Sequence, residues 1–387
     1  MPRGKRVGVQ QLVEVGPGTL GGRYWRRFWH PIYRASDLAP GRAKPVTILG
    51  ERFTLYRGQS GESHLVAFAC AHRGTQLSIG WVEDDCIRCR YHGWKFDATG
   101  QCVEQPGVEP GFAESVRLRT YPTREYVGLI FAYLGDGEAP AFQQLPDLDA
   151  PGVVVTDPPE YLPCSFWNRI DNDAAHGAWT HRSTALRMNR PDFLIQRSDD
   201  VEETGYGYIQ RRQGFSSGHV FMPNGRLFWI KTRARGYEGR QDLVDTKFSW
   251  TVPVDDDHFV AFDVTVSPLE GEDARAYAEQ RSREQEPEAD SRWDIAVRIL
   301  AGDLTIEEIP DDVSHYNGFV IEDYVTQVGQ GRLADRAAER LGSADARVVI
   351  NRRLWLRELT ALAEDRPPTD WRVPELPLRP PTSTRFV

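Results

Sequence analysis

Two short cysteine–histidine pairs constrain this chain more than any other feature of its sequence. Cys70 and His72 form the first pair, and Cys89 and His92 form the second pair, which begins after sixteen intervening residues. Each pair is short enough to sit on one tight loop, so the fold has to bring two loops together around one metal-binding region. Mixed thiolate and imidazole ligation suits a [2Fe–2S] cluster whose two irons are held by different ligand types. Histidine ligation raises the potential of such centres to roughly −150 to +300 mV, which suits an electron relay.

A zinc site is the competing interpretation, because two cysteines and two histidines also satisfy tetrahedral zinc. Zinc modules more often pair like with like, whereas each pair here is mixed. Four of the five cysteines lie within 33 residues and are interleaved with histidines. This clustering favours a metal centre over a disulfide framework. Cys86 and Cys102 match no ligand position, and we expect both to be packing residues.

The sequence around the two pairs closely resembles the Rieske signature. It is Cys-Ala-His-Arg-Gly-Thr-Gln-Leu-Ser-Ile-Gly from Cys70 to Gly80, and Cys-Arg-Tyr-His-Gly-Trp-Lys-Phe from Cys89 to Phe96. The resemblance covers about residues 45–135 and implies that Cys70, His72, Cys89 and His92 hold a Rieske cluster. A glycine follows each histidine, and glycine lets backbone N–H groups approach bridging sulfides closely. We also expect Tyr91 and Trp94 to pack beside the cluster.

Size and charge argue against several other classes of protein. The length of 387 residues suggests two or three domains. The net charge of −9 is spread along the chain without the basic stripe that tracks nucleic-acid phosphates. No apolar run follows the basic residues 1–6, and no stretch of about 18 apolar residues could span a membrane. We therefore expect a cytoplasmic protein that binds neither nucleic acid nor membrane.

A second group of candidate metal ligands lies further along the chain, at His176 and His181. Two histidines five residues apart are separated by about 140° on an ideal helix, so the helix would have to bend or widen for both to meet one metal. Alone, such a pair is more often structural than metal-binding. Downstream of a Rieske domain, however, Asp-x-x-His-x-x-x-x-His, which starts at Asp173, resembles the mononuclear iron motif of Rieske oxygenases.

A third iron ligand has to come from elsewhere, because a non-haem Fe(II) that activates dioxygen needs two histidines and one carboxylate on one face. The resemblance implies Asp323, in the segment Phe-Val-Ile-Glu-Asp-Tyr-Val-Thr-Gln over residues 319–327. Glu322 is the competitor. Adjacent residues on a strand point to opposite faces, so we expect only one of the two carboxylates to ligate.

The resemblance implies a different role for Asp173. In the family, this aspartate accepts the ring N–H of the first iron-binding histidine, here His176. It also bridges to a Rieske histidine, here His92, of the neighbouring subunit. Carboxylates of this kind fix imidazole orientation; in isolation, a helix-capping role would be equally reasonable. Many relatives carry asparagine three residues before this aspartate, but Ile170 occupies that position, and Asn168 and Asn172 only flank it.

The remaining patterns predict an α+β architecture. Short β-type runs fill the first third of the chain, prolines mark a boundary near residue 145, and a second β-rich block follows. We expect helices within 270–300 and 344–365 and an extended proline-rich tail. The predicted strands are Val46–Leu49, Phe53–Tyr56, Leu65–Ala69, Val127–Leu134, Tyr206–Arg211, Leu227–Thr232, Thr246–Val252 and Phe259–Thr265. With the resemblance, this implies an antiparallel β Rieske domain over 1–145 and a helix-grip catalytic domain on an antiparallel sheet over 146–387.

The resemblance also implies a function. Residues 327–353 are similar to the C-terminal segment of phthalate- and phenoxybenzoate-type oxygenases. A terminal oxygenase that hydroxylates an aromatic, carboxylated substrate with O₂ is therefore expected, and Arg211 or Arg233 could hold the carboxylate. Electrons would come from a separate reductase, possibly with a ferredoxin, and NAD(P)H would act only through it. Relatives form head-to-tail trimers, and such an interface closes as a ring.

Two alternatives remain open at this point. Demethylation uses the same iron chemistry as ring hydroxylation, since hydroxylating a methyl group leads to loss of formaldehyde, so an O- or N-demethylase fits the motifs equally well. A protein of another class, a Rieske electron carrier with a passive second domain, would contain the cluster but no second iron.

Overall fold

The computed structural model describes residues 7–107, 109, 111–172, 177–189, 199–212, 218–231, 243–284, 288–310, 313–336 and 338–378. Its helices are α1 (Val9–Val13), α2 (Leu20–Trp25), α3 (Phe166–Asn172), α4 (Gly177–Thr180), α5 (Arg182–Arg187), α6 (Gly271–Glu284), α7 (Glu288–Ala301), α8 (His315–Gly329) and α9 (Ala346–Ala363). The strands of its first third are β1 (Trp29–Arg34), β2 (Ala43–Ile48), β3 (Glu51–Arg57), β4 (Ser63–Ala67), β5 (Trp81–Glu83), β6 (Cys86–Arg88), β7 (Lys95–Phe96), β8 (Cys102–Glu104), β9 (Thr120–Tyr121), β10 (Thr123–Tyr126) and β11 (Leu129–Tyr133). The later strands are β12 (Val153–Thr156), β13 (Glu160–Leu162), β14 (Asp199–Thr204), β15 (Gly207–Arg212), β16 (Gly218–Phe221), β17 (Gly225–Lys231), β18 (Val244–Pro253) and β19 (Phe259–Ser267). Asp173, His176 and Arg233 lie outside the described residues.

The chain divides into two compact units. The smaller unit comprises Glu14–Phe142 and Val252–Asp255, and the larger unit comprises Gln143–Thr251 and the chain from Asp256 onward. The larger unit also includes the N-terminal residues up to Val13, where α1 contacts α9. The main run of the larger unit thus begins at Gln143, close to the boundary that the prolines predict near residue 145.

Three antiparallel sheets build the smaller unit, in the strand orders β1-β11-β10, β2-β3-β4-β9 and β5-β6-β7-β8. The four strands predicted in this part of the chain occur as β2, β3, β4 and β11, with ends shifted by a few residues. Aromatic and aliphatic side chains from the second and third of these sheets form one core, in which Tyr56, Ile87 and Phe96 are fully buried. Cys102 is buried in the same core, which confirms the expected packing role.

The larger unit is built on one eight-stranded sheet in the order β12-β19-β18-β17-β16-β15-β14, with β13 also paired to β19. Side chains alternate along β17, where Leu227 is buried on one face and Arg226 is part-buried on the other. Arg226 lies opposite Ser249 of β18, and Phe228 lies opposite Lys247. Because paired residues share a face, these four side chains form one polar and aromatic surface of the sheet.

The predicted helical stretches occur as α6, α7 and α9, which confirms these expectations. The strand assumed around Glu322 and Asp323 was wrong, because both residues lie on α8. The side chain of Ser314 caps this helix by accepting the N–H of Asn317 at 3.2 Å. Neighbouring helical residues are about 100° apart, so both carboxylates can reach one neighbour. Among the described residues, no helix combines the length and apolar character that crossing a membrane requires.

Candidate metal centres and substrate cavity

The two predicted cluster loops have the same backbone construction. The N–H of Gly74 donates to the carbonyl of Cys70 at 2.9 Å, and the N–H of Gly93 donates to the carbonyl of Cys89 at 3.0 Å. Each cysteine N–H in turn donates to the carbonyl five residues later, at 2.8 Å in both loops. The two glycines have φ angles of 77° and 76°, in the left-handed region that favours glycine.

The loops separate two buried thiols from two imidazoles nearer the surface. Cys70 and Cys89 are 3% and 2% exposed, and the rings of His72 and His92 have centroids 4.6 Å apart. Burial raises the pKa of the Cys70 thiol to about 11, so a thiolate there calls for a compensating positive charge. This donor set fits a [2Fe–2S] cluster with thiolates on the inner iron and imidazoles on the outer iron.

Two aromatic rings contact the histidines of these loops. Trp94 stacks on His72 with ring centroids 4.4 Å apart and an interplanar angle of 6°. The ring of Tyr91 lies 3.7 Å from that of His92. Both contacts confirm the expected packing and limit the orientations that the two imidazoles can adopt.

Arg88 is a residue that the sequence analysis missed, and it ties the second loop to its sheet. Its guanidinium donates to the carbonyl of Gly93 at 2.8 Å, to Glu83 at 2.8 Å and to Glu104 at 2.7 Å. Hydrogen bonds to Glu104 and Glu83 raise the pKa of Arg88 above its usual range. In the local sequence, only the position of Arg88 directly before Cys89 indicated this role. The carboxylates that it contacts come from other strands.

The second predicted centre is partly described, through His181 in the turn before α5. The Nε2 atom of His181 lies 3.4 Å from Oδ1 of Asp323, and its Nδ1 atom lies 3.3 Å from Oε2 of Glu322. Burial lowers the pKa of His181, but the charge of Asp323 and the hydrogen bond to Glu322 outweigh it and leave the pKa above its ordinary value. Within the described ranges, no three His, Cys, Asp or Glu side chains form a group that could hold one metal ion. The three-residue ligand set therefore stays a prediction.

Helix α3 supplies one hydrogen-bond donor and one cation to the carboxylate of Asp323. Asn172 Nδ2 donates to Oδ1 at 2.8 Å, and Arg169 Nη1 lies 3.6 Å from Oδ2. Residues three apart share a helix face, so both contacts come from the same side of α3. The sequence analysis noted Asn172 only as a flanking residue, and its contact with Asp323 gives it a place in this centre.

Comparisons with known proteins identify a Rieske domain and similar oxygenase subunits. The Rieske [2Fe-2S] domain family matches residues 28–122. The oxygenase subunit of 5,5'-dehydrodivanillate O-demethylase from Sphingobium sp. (strain NBRC 103272 / SYK-6) is 29% identical, over 92% of this chain and 81% of that protein. The alpha subunit of phenoxybenzoate dioxygenase from Ectopseudomonas oleovorans is 28% identical, over 92% of this chain and 85% of that protein. The chain thus contains a Rieske [2Fe-2S] domain and is similar over most of its length to subunits of Rieske non-haem iron oxygenases.

Solved structures agree with the fold of this oxygenase. Pseudomonas putida CBB5 NdmA superposes with a TM-score of 0.63 at 18% identity, covering 89% of this chain and 93% of NdmA. A mutant oxygenase of carbazole 1,9a-dioxygenase in complex with ferredoxin superposes with a TM-score of 0.60 at 18% identity, covering 87% of this chain and 91% of that one. That oxygenase forms a complex with a separate ferredoxin. The family carries a Rieske cluster and a mononuclear iron and uses O₂, which favours an oxygenase over the zinc and electron-carrier alternatives.

A cavity of about 240 Å³ lies beside His181 and Asp323 in the larger unit of the oxygenase. Its aromatic walls are Phe228, Phe259, Trp293, Phe319 and Tyr324. Its basic lining residues are Arg169, Arg226, Lys247 and Arg292, and its acidic ones are Glu160, Asp263 and Asp323. The lining therefore carries one more basic group than acidic groups, and an Fe(II) ion would add two positive charges.

Several of these charges interact with each other. Lys247 Nζ lies 2.5 Å from Asp263, and Arg292 lies 3.5 Å from Glu160. Burial raises the pKa of Asp263, but the Lys247 charge and hydrogen bond outweigh it and lower this pKa to about 2. Burial raises the pKa of Glu160, and the charge of Arg292 offsets this only in part. The lining thus pairs Lys247 with an ionised Asp263, and Arg292 with a carboxyl group that is protonated more readily.

Arg211, one of the two arginines suggested from the sequence as a carboxylate anchor, lies elsewhere, and the other, Arg233, is outside the described residues. Arg211 of β15 pairs with Glu202 on the surface, where its side chain is 52% exposed, and it does not line the cavity. The cavity-lining bases Arg226 and Lys247 were missed. Basic residues alternate with other residues along the two strands β17 and β18. This pattern predicts a shared basic surface only once the register between the strands is known.

Proposed function

We propose that this protein is a terminal oxygenase that hydroxylates a small, carboxylated aromatic compound at a mononuclear Fe(II). The ligands of that iron would be His176, His181 and Asp323. The observation that carries the proposal is the aromatic cavity beside His181 and Asp323, with its excess of basic side chains. Phenoxybenzoate appears in the name of one relative and 3-chlorobenzoate in that of another, which supports an aromatic acid as substrate.

In this proposal, different residues of the chain bind the substrate, the cluster and the iron ligands. Phe228, Phe259 and Phe319 hold the aromatic ring and exclude water, and Arg226 on the sheet face binds the carboxylate. When bound, the iron activates dioxygen, and the Rieske cluster held by Cys70, His72, Cys89 and His92 supplies electrons. Asp173 would accept the ring N–H of His176 and bridge to His92 of a neighbouring subunit in a homotrimer.

A separate reductase, possibly with a ferredoxin, would reduce the cluster, and NAD(P)H would act only through that reductase. The neighbour that contains a ferredoxin supports such a partner. Cytoplasmic localisation also stays a prediction.

O-demethylation is a second candidate, because one relative that spans most of the chain is an O-demethylase subunit. Hydroxylation of a methoxy group releases formaldehyde, whereas ring hydroxylation does not. The two reactions are therefore separated by measuring formaldehyde together with oxygen uptake, using methoxylated and unsubstituted aromatic acids in parallel.

The substrate proposal is tested by Arg226→Met, with Arg211→Met as a matched surface control. Losing a charge-assisted hydrogen bond costs about 1.5–3 kcal/mol, so we expect KM for an aromatic acid to rise roughly tenfold to a hundredfold. The kcat should change little, because the anchor binds ground state and transition state alike. Equal KM values for the two variants, or turnover only of uncharged aromatic compounds, would contradict the proposal.

A further inference from the structure

Glu322 is a fully buried carboxylate on α8, next in sequence to the predicted iron ligand Asp323. Its Oε1 atom accepts the backbone N–H of Thr184 at 2.8 Å. Its Oε2 atom lies 3.3 Å from Nδ1 of His181. A buried carboxylate is costly unless its oxygens are hydrogen-bonded, and these contacts engage both of them.

Close packing of α5 on α8 makes these contacts possible. Gly318 lies one turn before Glu322 on α8, and a Cβ atom there would come within 2.6 Å of Thr184 Oγ1 and of Arg187 Nη2. A side chain at position 318 would therefore displace the side chains of Thr184 and Arg187. Glycine at this position leaves room for the first turn of α5 against α8, where the N–H of Thr184 reaches Glu322.

The two nitrogens of His181 consequently face different carboxylates. Nδ1 faces Glu322, and Nε2 faces Asp323 at 3.4 Å. A neutral imidazole has one N–H donor and one lone pair, so a hydrogen bond from Nδ1 leaves the Nε2 lone pair available for a metal. Metal-binding histidines commonly donate their second N–H to a carboxylate, which fixes the tautomer and the ring plane.

We propose that Glu322 is a positioning residue for the mononuclear metal: it holds Nδ1 of His181 and thereby directs Nε2 toward the metal beside Asp323. This inference rests on the proposed function, in which His181 and Asp323 are metal ligands. Glu322 itself does not ligate, because its carboxylate faces Nδ1 of His181, whereas the metal would lie on the Nε2 side of the same ring.

The test uses the full-length protein with its Rieske cluster intact and its mononuclear site emptied, titrated with Co(II). Loss of such a carboxylate lowers metal affinity by about 10- to 100-fold in known sites. We therefore expect Glu322→Gln to weaken Co(II) binding about 10-fold and Glu322→Ala to weaken it about 100-fold. The electron paramagnetic resonance spectrum of bound Co(II) should also change, because the imidazole plane is no longer fixed.

Glu358→Gln is the matched control, because Glu358 is also buried and accepts a backbone N–H, from Thr369 at 2.7 Å, away from the metal site. Co(II) affinity and spectrum should be unchanged in this variant. Three outcomes would overturn the proposal: Glu322→Gln binds Co(II) like the wild type, it loses binding as completely as Asp323→Asn, or both Gln variants weaken binding equally. If instead the wild type contains only two irons per chain and binds no Co(II), the proposed function itself fails.

Discussion

Asp147 is a carboxyl group that is only 4% exposed, and it accepts the backbone N–H of Leu378 at 3.1 Å. Burial raises its pKa to about 6. The folded protein therefore binds this proton more tightly than the unfolded chain does. The free energy of unfolding should fall as pH rises between about pH 4 and pH 6. Above about pH 6, where Asp147 is ionised in both states, it should fall no further.

We expect Asp147→Asn to stabilise the protein at about pH 8 and to have little effect at about pH 4, where Asp147 is already protonated. The gain should be about 1–2 kcal/mol, after allowance for solvent screening, because Asn keeps an acceptor for Leu378 and carries no charge. Thermal unfolding midpoints at the two pH values provide the measurement. The exposed neighbour Asp149 serves as control, and an equal effect of Asp149→Asn would contradict the assignment.

At the scale of secondary-structure elements, α3 is held on several sides by side-chain contacts. Asn168 donates to the carbonyls of Gln327 and Gly331 at 3.2 and 3.0 Å and accepts from Arg336 at 2.9 Å. One turn later, the buried Asp171 lies 3.3 Å from Arg336 and 2.5 Å from Arg352 of α9. These contacts fix the helix whose Asn172 and Arg169 contact Asp323.

Arg336→Met should therefore destabilise the larger unit by about 3 kcal/mol, because it leaves the carboxylate of Asp171 buried with one cation fewer. Arg366→Met removes an exposed ion pair with Glu364 and should cost less than about 1 kcal/mol. Thermal unfolding followed by far-ultraviolet circular dichroism measures both variants. Similar small losses would show that the contacts around α3 carry little energy.

At the scale of the whole molecule, the proposed homotrimer makes each active site depend on two chains. His92 of one chain and Asp173 of the next would form the electron bridge, so His92→Ala and Asp173→Ala chains should each be inactive alone. A mixed ring restores intact pairs at the interfaces where the two variants meet in the right order. Every mixed trimer has one such interface out of three, so purified mixed trimers should recover about one third of the wild-type activity per chain.

Co-expression of the two variants with different affinity tags, followed by tandem purification and an activity assay, measures this recovery. Mixing the separately purified variants without subunit exchange is the control and should recover nothing. A mixed preparation as inactive as its parents would contradict electron transfer between subunits.

The local features of this protein followed from its sequence alone. Each cluster loop spans few residues, so Cys70-x-His72 and Cys89-x-x-His92 already specify two tight loops and their donor chemistry. The β-rich blocks and the helices α6, α7 and α9 were also predicted, because hydrophobic pattern and propensity are properties of short windows. Helix α8 was not predicted, because the adjacent residues Glu322 and Asp323 were assumed to lie on a strand.

Only the tertiary structure decided what surrounds the second centre. Asn172 reaches Asp323 across 151 residues of sequence, and Glu322 reaches Thr184 across 138. The cavity face depends on the register that sets Arg226 opposite Ser249, and one residue of slip would turn these side chains to the other face. Such contacts depend on how distant elements pack. Motif spacing could therefore name His181 and Asp323 as candidate ligands. It could not place Glu322, Asn172 or Arg226 beside them.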